Sequence, residues 1–202
     1  MIYLIGGPAR CGKSTLARRL RKDIDAQVIS GDALRHSLIE QLPPEWFPDL
    51  FEHTFDPFNK FETDEMRVTR LRRRDESMWG FFWRYAEAAG NEDDSVIIDG
   101  NIWPDFVHEL NSEHKAVFLV DTSPDQAKRI IATRDQGGPN DWMKNDHYSD
   151  DRIKEWAQFN TMRSQLVIDL CKKFDYPYFD IKDQGMDGTQ ERAFEYLLEG
   201  KV

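Results

Sequence analysis

The chain has few cysteines and a deficit of positive charge, and each shortage excludes a class of protein. Only two of its 202 residues are cysteines, Cys11 and Cys171, and no histidine cluster accompanies them, so neither a disulfide framework nor a zinc site is predicted and a reducing cytoplasm is expected. Lysine and arginine number 27 against 37 aspartates and glutamates. The net charge of −10 disfavours nucleic acid or an anionic membrane surface as the main partner.

Long apolar runs and linkers are also missing. The longest apolar run lies near residues 116–120, well below the ~20 residues that a membrane-spanning helix needs. No Gly/Ser-rich linker or repeat divides the chain, so a single domain over residues 1–202 is predicted, as a monomer or a homodimer. Because the first motif starts at Gly7, no signal peptide is expected.

A complete phosphate-binding motif, G-x-x-x-x-G-K-[ST], lies near the start of the chain. An apolar run at residues 2–5 precedes it and a helical pattern follows it, which is its setting in nucleotide-binding proteins. Backbone N–H groups would wrap the phosphates, Lys13 would add positive charge and Ser14 would hold Mg²⁺. We expect the lysine side chain to be exposed. The predicted nucleotide site comprises Gly7, Pro8, Ala9, Arg10, Cys11, Gly12, Lys13, Ser14 and Thr15.

Apolar runs alternate with helical patterns along the whole chain. The runs lie at residues 2–5, 27–30, 96–98, 116–120 and 176–181. This alternation predicts an α/β fold of the P-loop NTPase type, with three layers and a central five-stranded parallel sheet covered by helices on both faces. We expect the second strand to lie beside the phosphate-loop strand, and ligands to bind at the carboxyl edge of the sheet.

Asp32 and Arg35 follow the second predicted strand and lie one helical turn apart, so they share a face. In one interpretation Asp32 caps the helix and Arg35 is its partner. In the other, Asp32 accepts the proton of a hydroxyl that attacks the γ-phosphate, a role that a phosphate acceptor does not require. The position at the carboxyl edge of the sheet favours a hydroxyl acceptor.

Two later segments add candidate residues. The apolar strand at residues 96–98 ends in Asp99, the form of a Walker B element, which predicts that Asp99 helps to hold Mg²⁺ through water. A helical pattern followed by glycines predicts a lid over residues 134–150, from which Arg134 neutralises the transferring phosphoryl group. Arg129 is the second choice, and a solvated arginine at a helix end is the alternative for both.

An insertion separates the second and third predicted strands by about 65 residues, more than a crossover needs. Residues 43–90 are predicted to be largely helical, and their aromatic side chains either cover the core or form an acceptor-binding lid or dimer face. The arginines of this segment form a solvated face neutralised by nearby carboxylates, or they hold an anionic group of the acceptor together with Arg35. These arginines are Arg67, Arg70, Arg72, Arg73 and Arg74.

The phosphate-binding motif and the string Gly31-Asp32-x-x-Arg35-His36 together resemble the P-loop kinases of small molecules. The string is similar to that of adenylylsulfate kinase, and Asp-x-x-Arg is also seen in polynucleotide 5′-kinases, zeta toxins and chloramphenicol phosphotransferase. The resemblance covers residues 2–38 and 96–104 and implies that Asp32 is the base and that Arg35 orients the acceptor. The insertion and the tail match none of these families closely.

The resemblance implies an ATP-dependent kinase that transfers the γ-phosphoryl group to a hydroxyl of a small molecule, with Lys13, Asp32, Arg35 and Arg134 as catalytic residues. A nucleoside monophosphate kinase or a polynucleotide 5′-hydroxyl kinase is the first alternative, and a nucleotide-dependent switch or toxin kinase is the second. The guanine-reading Asn-Lys-x-Asp element is absent, because its near match at residues 59–62 ends in glutamate and precedes the Walker B strand. ATP is therefore expected rather than GTP.

Overall fold

The fold is built on one parallel sheet. The computed structural model describes residues 1–53, 61–90, 95–134, 142–145 and 147–199. All strand pairs in the sheet are parallel and the spatial order is β2-β3-β1-β4-β5, which confirms the predicted α/β class with five parallel strands. The strands are β1 Ile2–Gly6, β2 Ala26–Ser30, β3 Ser95–Asp99, β4 His114–Val120 and β5 Tyr178–Asp180.

Helices connect the strands and cover the sheet. A short 3₁₀ helix at Pro48–Phe51 follows the helix at Gly31–Gln41. The helix at Ile181–Glu199 is kinked at Gly185, whose φ is 70°. Within the described ranges, no helix combines the length and the apolar character needed to cross a bilayer. The helices are α1 Lys13–Leu20, α2 Gly31–Gln41, α3 Asp64–Gly90, α4 Pro104–His108, α5 Gln126–Thr133, α6 Trp142–Asn145, α7 Asp150–Phe174 and α8 Ile181–Glu199.

The order of the strands differs from the expectation in one respect. β3 lies between β1 and β2, so the expectation that β2 is next to the phosphate-loop strand is wrong. Apolar runs identify strands, but they carry no information on which strands become neighbours across a long insertion. As a result, Asp99 at the end of β3 lies opposite Ile5 of β1 on one side and Ser30 of β2 on the other.

Strand side chains alternate between two apolar clusters, one on each face of the sheet. Helices α2, α3, α4 and α7 cover the first face, where the strands contribute Leu4, Ile98 and Phe118. Helices α1 and α8 cover the second, where the strands contribute Ile5, Ile97 and Leu119. Cys171 is buried in the first cluster and Cys11 in the second, so the sheet separates them.

The insertion between β2 and β3 is mainly α3, in agreement with the prediction of a largely helical segment. Phe82 and Ala86 of α3 are buried in the first cluster, and Phe47, Phe51, Trp79 and Trp83 pack against that cluster. Trp46, in contrast, is exposed. Most of the described aromatic side chains therefore cover the core, and Phe55 and Phe58 lie outside the described residues.

Candidate active site

The loop between β1 and α1 has the backbone geometry of a phosphate cradle. Gly7 has φ 115°, and a Cβ at this position would lie 2.0 Å from the carbonyl oxygen of Leu119. Gly12 caps α1 with φ 84°, in the left-handed region that favours glycine. The N–H groups of Thr15 and Leu16 donate to the carbonyl oxygen of Gly12. The first two N–H groups of α1, those of Lys13 and Ser14, precede the first intrahelical hydrogen bond and are available to an anion in this loop.

Lys13 is the first residue of α1 and is only 9% exposed, so the expectation of an exposed side chain is wrong. Its Nζ bends back over the loop and donates a hydrogen bond of 2.6 Å to the carbonyl oxygen of Pro8. Burial lowers the pKa of the ammonium, and the negative charges of Asp32 and Asp99 oppose that decrease. Both carboxylates therefore lie close enough to Lys13 to stabilise its positive charge.

Ser14 and Asp99 meet at the carboxyl edge of the sheet. The Ser14 hydroxyl donates a hydrogen bond of 2.5 Å to the Asp99 carboxylate. Burial raises the pKa of Asp99 above its ordinary value, although the hydrogen bond from Ser14 and the positive charge of Lys13 act in the opposite direction. Hydroxyl and carboxylate oxygens are ligands that suit Mg²⁺. Within the described ranges, no group of three or more histidine, cysteine, aspartate or glutamate side chains is placed to hold a metal ion.

Asp32 lies in the first turn of α2 but does not cap the helix. The cap is Ser30, whose hydroxyl accepts a 3.5 Å hydrogen bond from the N–H of Ala33. Asp32 is exposed, and in the part of the chain that the structure describes no donor pairs with its carboxylate. The cap interpretation of Asp32 is therefore wrong, and its carboxylate is left available to a ligand.

One cavity of about 170 Å³ collects most of the predicted residues. From the phosphate loop it is lined by Ala9, Arg10, Gly12, Lys13, Ser14 and Thr15. From the ends of β2 and β3 it is lined by Asp32, Asp99, Gly100 and Asn101. Asn101 was not predicted, although its place directly after the Walker B strand was a signal for it. The sequence interpretation and the geometry therefore converge on one site.

Cys11 belongs to the loop but its side chain faces the core. Its Sγ is fully buried in the second cluster, and burial raises the pKa of the thiol to about 12. Only the backbone of this residue is available to a phosphate. Gly7 and Pro8 likewise act through the backbone, Gly7 by its close approach to Leu119 and Pro8 by its carbonyl oxygen.

Arg35 does not line the cavity. Its guanidinium donates to the carbonyl oxygens of Leu50 at 2.8 Å and Glu52 at 3.0 Å, which ties α2 to the insertion. Burial lowers its pKa, and the nearby charge of Arg74 adds to that effect. Its role in orienting the acceptor stays a prediction.

The arginines of α3 are paired with carboxylates, but they do not form a solvated face throughout. Arg70 pairs with Glu62 at 2.7 Å and with Glu52 at 2.9 Å. Arg67 and Arg74 are only 6% and 7% exposed, so the solvated-face interpretation is wrong for these two. They are buried because Arg67 faces α7 and Arg74 faces the segment before α3, where it donates to the carbonyl oxygen of Glu52, and sequence spacing does not show these contacts.

The predicted lid arginines are both paired. Arg134, at the end of α5, donates to the carbonyl oxygen of Tyr148 at 2.7 Å and to Asp150 at 3.0 Å. Arg129 pairs with Asp121 and, at 3.6 Å, with Asp125. Residues 135–141 and 146, which include the glycines of the predicted lid, lie outside the described residues. The lid therefore stays a prediction.

Sequence reasoning missed the contribution of α7. Asn160 is buried and donates a 3.4 Å hydrogen bond to the carbonyl oxygen of Ala9 in the phosphate loop. One turn later, Arg163 donates to Asp75 of α3 at 3.1 Å. No motif marks these residues, because their significance arises only when α7 packs between the loop and α3.

No protein-family model and no curated protein matches the chain. Solved structures match nearly its whole length. An uncharacterized protein from Eubacterium ventriosum is 13% identical with a TM-score of 0.52, over 98% of this chain and 99% of that one. A sugar kinase from Janibacter sp. is 15% identical with a TM-score of 0.49, over 98% and 94%. A shikimate kinase from Bacteroides thetaiotaomicron is 17% identical with a TM-score of 0.49, over 98% of both chains. At 13% identity, the likeness to the Eubacterium ventriosum protein shows the fold alone.

Proposed function

We propose that the protein is an ATP-dependent kinase that transfers the γ-phosphoryl group to a hydroxyl of a small-molecule acceptor, with Asp32 as the general base. The observation that carries the proposal is the convergence of Lys13, Ser14, Asp32 and Asp99 on one cavity at the carboxyl edge of the sheet. This edge is where ligands bind in open α/β sheets. One cavity thus offers hydrogen-bond donors and positive charge for phosphate, oxygen ligands for a cation, and the carboxylate of Asp32.

The phosphate end of the site supports ATP as the donor substrate. The N–H groups at the start of α1 bind phosphate oxygens, and the Lys13 ammonium, already inside the cavity, stabilises their charge. Ser14 and Asp99 would hold Mg²⁺, which when bound neutralises charge on the phosphates. In the proposal Arg134 closes over this end from the lid at residues 134–150.

The acceptor end supports a hydroxyl over a phosphate. The Asp32 carboxylate lines the same cavity as the phosphate loop, and in the proposal it takes the proton of an attacking hydroxyl. A phosphate acceptor needs no base, and the same carboxylate would repel its negative charge. The geometry therefore favours a hydroxyl kinase over a nucleoside monophosphate kinase, and the net charge of −10 disfavours a polynucleotide acceptor.

A screen of hydroxylated metabolites for ATP-dependent ADP release tests the proposal. We expect at least one acceptor to give a phosphate ester, identified by mass spectrometry and phosphorus NMR. A product in which phosphate has been transferred to phosphate would contradict the role of Asp32. Hydrolysis of a nucleotide with no phosphorylated product from any acceptor would favour the switch alternative.

Lys13→Met is expected to lower turnover in that assay by at least ~100-fold. Methionine keeps most of the buried stem but removes the ammonium that stabilises the phosphates, so the fold should survive. Lys22→Met, at an exposed position just after α1, is the matched control and should turn over normally. Equal turnover of Lys13→Met and the wild type would exclude this loop as the catalytic site.

A further inference from the structure

A cluster of arginines lies where α2, α3 and α7 meet. It comprises Arg35 of α2, Arg74 of α3 and Arg163 of α7, grouped around Asp75. Asp75 accepts from Arg74 at 3.0 Å and from Arg163 at 3.1 Å, and Trp103 also donates to it at 3.0 Å. Arg163 is 4% exposed and Asp75 is 3% exposed. We refer to these three arginines and Asp75 as the arginine cluster.

The arginine cluster has an excess of positive charge. Among the described residues, the acceptors of Arg35 are the carbonyl oxygens of Leu50 and Glu52, and Asp75 is the one carboxylate that pairs with any of the three guanidinium groups. Arg74 lies close enough to Arg35 to lower its pKa, after the larger effect of burial. Like charges gathered in a buried place are destabilising unless an anion compensates them.

One donor of the cluster lacks a partner. Nε of Arg163 is buried and makes no hydrogen bond among the described residues. Buried donors are nearly always paired, so this atom points to a ligand that completes the site. The guanidinium is held in place by Asp75 and by the rings of Trp103 at 5.5 Å and Phe159 at 5.9 Å. The unpaired donor therefore belongs to a side chain whose position is already set.

The arginine cluster also lies next to both ends of the cavity. Arg35 follows Asp32 by one turn of α2, and the negative charge of Asp32 acts to raise the pKa of Arg35. The positive charge of Arg163 lowers the pKa of Lys13. Asn160, one turn before Arg163 on α7, donates a hydrogen bond to the carbonyl oxygen of Ala9 in the phosphate loop. An anion in the cluster would thus place the rest of its molecule near the Asp32 carboxylate.

We infer that the arginine cluster is the anion subsite of the acceptor, which is a hydroxylated small molecule carrying an oxyanion. The inference rests on the proposed function and names its substrate class. Guanidinium groups match the two oxygens of a carboxylate, phosphate ester or sulfate ester, and Asp75 fixes the positions of Arg74 and Arg163 while leaving Nε of Arg163 without a partner among the described residues. The hydroxyl of the same molecule faces Asp32.

Oxyanion binding tests the subsite without requiring turnover. Inorganic sulfate is titrated by calorimetry into protein saturated with Mg²⁺ and a non-hydrolysable ATP analogue, which fills the phosphate loop. We expect one sulfate site, weakened at least ~10-fold by Arg163→Gln and unchanged by Arg73→Gln, an exposed neighbour on α3. No sulfate binding by the wild type, or equal binding by Arg163→Gln, would overturn the inference.

Acceptor kinetics give the second measurement. Matched acceptors are compared: a polyol, the corresponding hydroxy acid and the corresponding sugar phosphate. The preferred acceptor should be one of the two anions, and Arg163→Gln should raise its KM at least ~10-fold while the KM for ATP stays within ~2-fold. Equal use of the neutral polyol overturns the inference. Which anion is preferred distinguishes a carboxylate from a phosphate ester.

Two further variants keep the test decisive if Arg163→Gln does not fold. Arg163→Lys keeps a positive charge beside Asp75 but loses the planar fork, and Arg35→Gln alters a group without a carboxylate partner. Either should weaken sulfate binding while the variant remains folded, as checked by thermal unfolding, and unchanged binding in both overturns the inference. Sulfate binding without phosphoryl transfer to any acceptor would reject the proposed kinase alone, whereas transfer to neutral acceptors without sulfate binding would reject the subsite alone.

Discussion

Asp32→Asn is expected to lower kcat for phosphoryl transfer by about 10²–10⁴-fold while ATP affinity stays within a few-fold. The carboxylate lines the same cavity as Lys13 and, within the described residues, has no donor partner, so it is available to accept a proton from the acceptor. Asparagine has nearly the same size but takes no proton. The loss of a negative charge near the phosphates gives no reason for weaker ATP binding.

The fold should tolerate this change, because Ser30 rather than Asp32 caps α2. Glu40→Gln, exposed near the other end of the same helix, is the matched control and should leave turnover unchanged. Steady-state ADP release, calorimetry with ATP and thermal unfolding together separate the outcomes. Normal turnover of Asp32→Asn would indicate a phosphate acceptor, and an unfolded variant would indicate a structural role.

Asp75→Asn is expected to destabilise the protein by about 3–5 kcal/mol, the range found when one partner of a buried ion pair is removed. The carboxylate is 3% exposed and accepts from two buried guanidinium groups and from the indole of Trp103. A neutral amide leaves Arg74 and Arg163 without their counterion. For a domain of this size, the melting temperature should fall by about 6–20 °C.

Urea and thermal unfolding of the variant measure this loss. Asp151→Asn removes an exposed carboxylate that pairs with Lys154, and it should leave stability unchanged. The double change Asp75→Asn with Arg74→Gln should be more stable than Asp75→Asn alone, because it removes one of the two orphaned charges. Wild-type stability of Asp75→Asn would show that the arginines do not depend on this counterion.

Sequence reasoning identified most of the residues that line the cavity, because they are concentrated in short segments. The two glycines, Lys13 and Ser14 fall within eight residues, and the positive φ values of Gly7 and Gly12 explain why these positions are glycines. Asp99 was found because a buried strand precedes it. The exposure of Lys13 was predicted wrongly, since its hydrogen bond to the Pro8 carbonyl depends on how the loop folds back on itself.

The sequence by itself determined the phosphate loop, the five strands and the class of fold, because each depends on residues that are near one another in the chain. Only the tertiary structure decided that β3 lies between β1 and β2, and that Arg163 approaches Asp75, 88 positions away in the chain. Contacts over such separations depend on how whole helices pack across the sheet. Local spacing therefore predicts where phosphate binds, and packing between α3 and α7 forms the arginine cluster beside that site.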